Sequence, residues 1–368
     1  MVGNRSPKRV RTVLVTLLIL LVAAGGTAAY VWLALAWPYR DYPSDGVFVT
    51  VPHGASPRMA GRILAREGVL RSAAAFELYC RWTLRKNGGR GVLKAGDYFF
   101  DHAVTAREVF DTLANGRVYV KSVTVPEGST MADIAALLEN ERVVPRETFL
   151  AAAQDASLVS DDAPKARNLE GFLFPATYPF PRHPAAQDVV AAMVRRFHDT
   201  WAQLPAETGP GGRSLEEVVT LASLVERETP QPEERPLVAA VFLNRLRLRR
   251  PLQCDPTVVY ALKLAGRGNG KLTRNDLRFE SPYNTYRHTG LPPGPIANPG
   301  EASLRAALEP AKSDYLYFVA NTQGGHFFSR TLAEHNRNVR RYRRLLAQAA
   351  ANKEGPSQAR PAAQPQAH

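Results

Sequence analysis

Residues 214 to 228 read SLEEVVTLASLVERE, a helix announced at its first residue and apolar along one side. Ser214 is placed to accept a bond from the backbone three positions on, and Glu217 to return it, which is a capping-box start. Val218, Leu221, Ala222 and Val225 then recur at i, i+3, i+4 and i+7 and predict a buried stripe. At about 100° per residue, Glu226 falls at one edge of the stripe beside Ala222, and Glu228 at the other near Leu221 and Leu224. A carboxyl half inside an apolar wall keeps its proton to higher pH, because burial disfavours the charged form. Such a group can serve as a general acid near neutrality. The competing reading is a solvated charge, or an ion pair with Arg227, Arg235 or Arg245. Periodicity does not choose between the two acids, which point roughly 160° apart and so are not expected to act as a pair.

Downstream, Pro236 suits the first turn of a second helix. Leu237, Val241, Asn244 and Leu248 share a face of it, so the amide of Asn244 interrupts an apolar stripe and must find partners in backbone or ligand. Asp255 before Pro256 reads as an N-cap and is taken as structural. Residues 281 to 300, SPYNTYRHTGLPPGPIANPG, are dense in proline and glycine yet carry Tyr283, Asn284, Tyr286 and His288. A stiff loop bearing flat rings and amides suits sugar recognition; a rigid structural lid is the alternative.

At the other end, Val13 to Trp37 is an uncharged run of 25 residues, about 37 Å as a helix. That crosses a bilayer with some tilt. Arg5, Lys8, Arg9 and Arg11 precede it with no acid among the first twelve residues, which holds the N-terminus in the cytoplasm. A cleaved signal peptide shares the basic start and the small residues Ala23, Ala24 and Ala28, but the apolar run continues well past them. The expectation is a single-pass inner-membrane protein with an extracytoplasmic body.

The formal charge of +13 suits an anionic partner. No RNA-binding aromatic motif or zinc-finger spacing accompanies it, so nucleic acid is not expected. Cys80 and Cys254 share no metal-binding spacing, and no metal, cofactor or disulfide framework is implied.

An internal echo organises the front of the exported part. VTVPHGAS (49 to 56) returns as VTVPEGST (123 to 130), each a short strand, a turn and a helix capped by Ser56 or Thr130. Leu93 to Tyr98 and Thr105 to Leu113 read as a further strand and helix. The unit resembles the LysM type of glycan-binding module. Polar loops are expected at 154 to 165, 206 to 213 and 266 to 270.

Taken together, LEGFLFPATYPF (169 to 180), LASLVERETP (221 to 230), VFLNRL (241 to 246), PLQCDPTVVYAL (251 to 262), SPYNTY, GLPPGPIANPG and YLYFVANTQGGHFFS (315 to 329) resemble the MltG/YceG-like family of endolytic murein transglycosylases. The resemblance covers roughly residues 45 to 345. Together with the uncharged run and the Ala, Gln and Pro composition after Gln348, it gives an expected α+β fold: a basic lead at 1–12, a transmembrane helix at 13–37, a LysM-like subdomain at 38–120, an α+β catalytic domain at 121–348 and a disordered tail at 349–368. It implies a lyase that cuts the bond between N-acetylmuramic acid and N-acetylglucosamine without a cofactor, leaving 1,6-anhydro ends. It further implies Glu226, the first acid of its motif, as the catalytic residue, with Asn244, Gln253, Tyr283 and Asn284 lining the glycan cleft. Peptidoglycan strands, the inner membrane, and synthases or division proteins are the partners it implies. Cys254 departs from the pattern, where a small hydroxyl residue is more usual.

Overall fold

The computed structural model describes residues 7–86, 93–205, 211–268 and 272–353. The chain divides into two compact units, one reaching Lys121 and including Pro179–Arg182, the other made of Ser122–Tyr178 and the residues from His183 onward.

The first unit opens with helix α1 (Pro7–Ala36), which takes in part of the basic lead as well as the apolar run. Its leucines up to Leu33 stay exposed, Leu18 at 62% and Leu21 at 69%, and Ala34 near its end is buried. Thr16 and Thr27 donate their hydroxyls to the carbonyls of Thr12 and Ala23, so these two polar groups are satisfied within the helix. A helix entering lipid needs this. Beyond it, strand β1 (Val47–Val51) pairs antiparallel with β2 (Gly96–Phe100), Val49 opposite Tyr98. Helices α2 (Pro57–Arg66) and α3 (Ala73–Lys86) lie between them in the chain, and α4 (Ala106–Asn115) follows. Alternation along the strands sends Val49, Val51, Tyr98 and Phe100 into the core. Ser56 caps α2 as expected, accepting from Met59 N–H. Gly68 adopts φ +76°, and a Cβ there would lie 2.0 Å from Asp41 O, so no side chain fits.

Strand β3 (Lys121–Thr124) pairs with β4 (Thr177–Phe180), and the rest of the second unit is mostly helical. Helices α5 (Met131–Asn140), α6 (Arg146–Ala153) and α7 (Ala186–Trp201) pack in succession. Then come α8 (Leu215–Glu228), α9 (Arg235–Arg247), α10 (Asp255–Leu264), α11 (Glu301–Leu308), the antiparallel hairpin β5 (Tyr317–Ala320) and β6 (His326–Ser329), and α12 (Leu332–Lys353). The capping box of α8 forms, Ser214 N–H donating to Glu217 and Glu217 N–H to Ser214 Oγ. The expected single buried stripe does not describe this helix. Val219, Thr220, Ser223 and Leu224 are buried as well, because α9, α10 and α11 pack around it. Its buried hydroxyl is satisfied: Ser223 donates to Thr220 O and accepts from Ile296 N–H.

Residues 349–353 continue α12, where disorder was expected, and the rest of that tail lies outside the described residues. The expected loops at 206 to 213 and 266 to 270 lie partly outside them too, and the one at 154 to 165 holds a short 3-10 turn, Ala156–Val159.

Candidate active site

The C-terminal turn of α8 carries both acids, and the fold sends them to different places. Glu226 is locked: Arg235 Nη2 lies 3.1 Å from one carboxylate oxygen, and Gly300 N–H donates to the other at 3.0 Å. The two side chains of that ion pair are only 7% and 6% exposed. Arg235 also reaches Glu127 at 3.4 Å. The ion pair that the sequence allowed as the competing reading is therefore the one Glu226 makes.

Glu228 instead lines a cavity of about 310 Å³ with Arg245, Gln253, Asp255, Tyr286, Tyr317 and His335 among its walls. Burial pushes its carboxyl up to about 7; the Cys254 thiol, which donates a hydrogen bond to it, opposes the rise, and the neighbouring Asp255 charge adds to it. At neutral pH this group is divided between acid and carboxylate, as a residue that both gives and takes a proton requires.

The walls are held by hydrogen bonds that the loops cannot supply from regular structure. Buried Arg245 donates to Leu316 O, Pro251 O, Leu252 O and Gln253 Oε1 at 2.7 to 3.2 Å. It staples the loop after α9 to the entry of β5. Gln253 sits at φ +53°, a left-handed conformation costing about 1 kcal/mol for a non-glycine residue. Its N–H donates to Thr285 O at 3.1 Å, and the loop holds it there. Asp255 is the first residue of α10 rather than its cap, and Cys254 occupies the cap position without a side-chain capping bond to the helix. The Asp255 carboxylate accepts from Tyr286 Oη at 2.5 Å and also lines the cavity, so it has a wall position besides its place at the start of α10.

Of the residues expected to line a glycan cleft, Gln253 is among the walls of this cavity, and Asn244, Tyr283 and Asn284 are not. Asn244 donates to Ser313 O and Tyr315 O, anchoring the approach to β5. Asn284 is fully buried; its amide donates to Leu277 O and Phe279 O and accepts from Tyr286 N–H. Tyr283 packs its ring on Tyr260 at 5.1 Å. All three shape the loops behind the site. Sequence reasoning missed Arg245, Tyr317 and His335 as wall residues; no local pattern brings a helix, a hairpin strand and α12 to one point. Among the described residues, no group of three His, Cys, Asp or Glu side chains could hold a metal ion.

A second buried acid lies deeper. Glu170 accepts from Met131 N–H, Tyr260 Oη and Asn298 Nδ2, and burial pushes its carboxyl up to about 7 against those bonds. Asn298 also accepts from Gly171 and Leu173 N–H and donates to Ser129 O, clamping three loops together. Since the folded state holds this proton more tightly than the unfolded chain, the contribution of Glu170 to stability is greatest below about pH 4.5 and declines as pH rises to about 7. The decline is on the order of 3 kcal/mol at most. Denaturant titrations at pH 5 and pH 8 are expected to show a smaller loss for Glu170→Gln than for wild type, whatever that variant's absolute stability.

A helix-rich α+β domain whose cleft is walled around one recessed helical acid is the class that this geometry defines. The chain belongs to the YceG-like family, whose model matches residues 49–341. It is 34% identical over 325 residues to the endolytic murein transglycosylase of Bacillus subtilis (strain 168), a match covering 84% of this chain and 88% of that protein. It is 28% identical over 356 residues to the endolytic murein transglycosylase of Streptococcus pneumoniae (strain D39 / NCTC 7466), covering 87% of this chain but 62% of that protein. Its structure is similar to that of a yceG-like protein from Listeria monocytogenes, with a TM-score of 0.51 and 32% identity over 80% of this chain and 99% of that one.

Proposed function

We propose that this chain is a membrane-anchored lytic transglycosylase of peptidoglycan, with Glu228 as its single acid and base. The observation that carries the assignment is the recessed carboxyl on the cavity, held half-protonated at neutral pH by burial. The names of the relatives support the substrate. Protonated Glu228 donates to the glycosidic oxygen between N-acetylmuramic acid and N-acetylglucosamine as the C1–oxygen bond breaks and positive charge builds on the muramyl ring. The Asp255 carboxylate on the same wall opposes that charge. Glu228, now a carboxylate, takes the proton of the muramyl C6 hydroxyl, whose oxygen closes on C1 to leave a 1,6-anhydro end. An internal nucleophile removes the need for the second catalytic carboxylate that most glycosidases employ.

Asp255 also favours a second reading, a hydrolase in which it activates water. Mass analysis of digested polymeric peptidoglycan separates the two. The expected muramyl ends are lighter by one water than reducing ends; reducing ends alone would assign the hydrolase.

On this reading α1 is a single-pass anchor in the inner membrane with its basic end in the cytoplasm. The strand, two helices and strand of the first unit support a LysM-like glycan-holding role. Synthases and division proteins that handle nascent strands are the neighbours such an enzyme would have.

A further inference from the structure

We propose that α3 is a second membrane contact: its outer face lies on the bilayer that α1 enters, Leu78 and Trp82 at headgroup depth and Arg81, Arg85 and Lys86 toward anionic lipid phosphates. The inference rests on the reading of α1 as a membrane anchor.

The first observation is where α1 stops being bare. From Leu14 to Leu33 its residues are exposed apart from the partly buried Val31, whereas Ala34 is buried and Leu35 packs against the core of the first unit. Those 20 positions, all but one exposed, span about 30 Å. A bilayer's hydrocarbon core is also about 30 Å thick, so no length of α1 is left over as a stalk. The outer edge of the hydrocarbon then falls at the turn where α1 meets α3 and α4.

The second observation is what α3 shows on its far side. Its inner face buries Phe76 and Cys80 completely. One turn apart on the outer face, Leu78 and Trp82 are 58% and 60% exposed. Arg81 and Arg85 flank them, and the Lys86 ammonium lies 5.3 Å from the Trp82 ring centroid. Arg81 also pairs with Glu77 at 2.7 Å, so Arg85 and Lys86 supply most of the positive charge. An exposed leucine and indole ringed by cations is costly in water. At a membrane surface the apolar groups enter the interface and the cations meet lipid phosphate.

The test uses the full chain in liposomes, with one cysteine introduced at position 78, 66 or 20 and labelled with an environment-sensitive fluorophore. Cys80 and Cys254 are fully buried and do not compete for label. A lipid carrying a nitroxide near its headgroup is the quencher, in phosphatidylcholine with and without phosphatidylglycerol. The expected result is that the label at Leu78 loses most of its emission in the anionic vesicles while that at Arg66 on α2 keeps most of its own. Reversing Arg81, Arg85 and Lys86 together to glutamate is expected to bring position 78 to the level of position 66, with circular dichroism unchanged. Quenching at position 20 but not at 78 overturns the docking of α3 and leaves the anchor standing. Shielding at 78 that rises with protein density rather than with quencher overturns it in favour of a second copy. No quenching at position 20 overturns the anchor, and this proposal with it.

Discussion

Glu228→Gln is expected to lower cleavage of polymeric peptidoglycan by about 10³-fold, within the range contributed by a positioned acid or base. The amide keeps the shape of the protonated acid but has no proton of suitable acidity to give. Its fold is expected to survive, and at pH 8 to be slightly more stable than wild type. The reason is the sign of the shift: a carboxyl raised to about 7 in the folded state makes folding less favourable as pH rises from about 4.5 to 7, and glutamine removes that dependence. Wild-type cleavage should fall above about pH 7 as the donor proton is lost. Melting curves, kinetics and end-group masses on the same preparations check all three. A Glu228→Gln enzyme that still releases anhydromuramyl ends at the wild-type rate would sink the assignment.

Glu226→Gln is expected to act through stability instead. Removing the enclosed partner leaves the buried Arg235 guanidinium with only the longer contact to half-exposed Glu127 as counter-charge, which costs up to about 3–5 kcal/mol. For a domain of this size the melting temperature falls by about 10 °C or more. Arg235 Nε already lacks a partner, so the site has little capacity to re-pair. Arg235→Met in the same chain as Glu226→Gln should recover part of the loss by removing the stranded charge. Cleavage assayed well below the melting point is expected to persist in Glu226→Gln and to be absent in Glu228→Gln. If Glu226→Gln melts like wild type but has lost cleavage, the chemistry belongs to the first acid of the pair.

The amides illustrate how far residue type carries a site assignment. Asn244 and Asn284 have the donors that sugar hydroxyls want, and the neighbours of Asn284 are rich in tyrosine and proline. Both donate instead to backbone carbonyls at 2.7 to 3.0 Å. Irregular loops packed into a core leave carbonyls without helix or sheet partners, and buried side-chain amides fill that need. A buried amide in sequence therefore announces a partner without saying whether that partner is ligand or loop. Gln253 differs because its left-handed backbone leaves the residue exposed on the cavity wall.

By itself the sequence determined the uncharged span, the capping box that begins α8, the strand, turn and helix repeated 74 residues apart, and the presence of two acids at the end of one helix. These depend on charge, spacing and bonds over three or four residues, which the chain carries locally. Only the tertiary structure gave the two acids different surroundings. Arg235, from the next helix, and Gly300, from a loop 74 residues away, close on Glu226, while Cys254 and Asp255 set the surroundings of Glu228. A carboxyl's proton affinity depends on the charges and dipoles within a few ångströms of it, and those come from parts of the chain that meet only on folding.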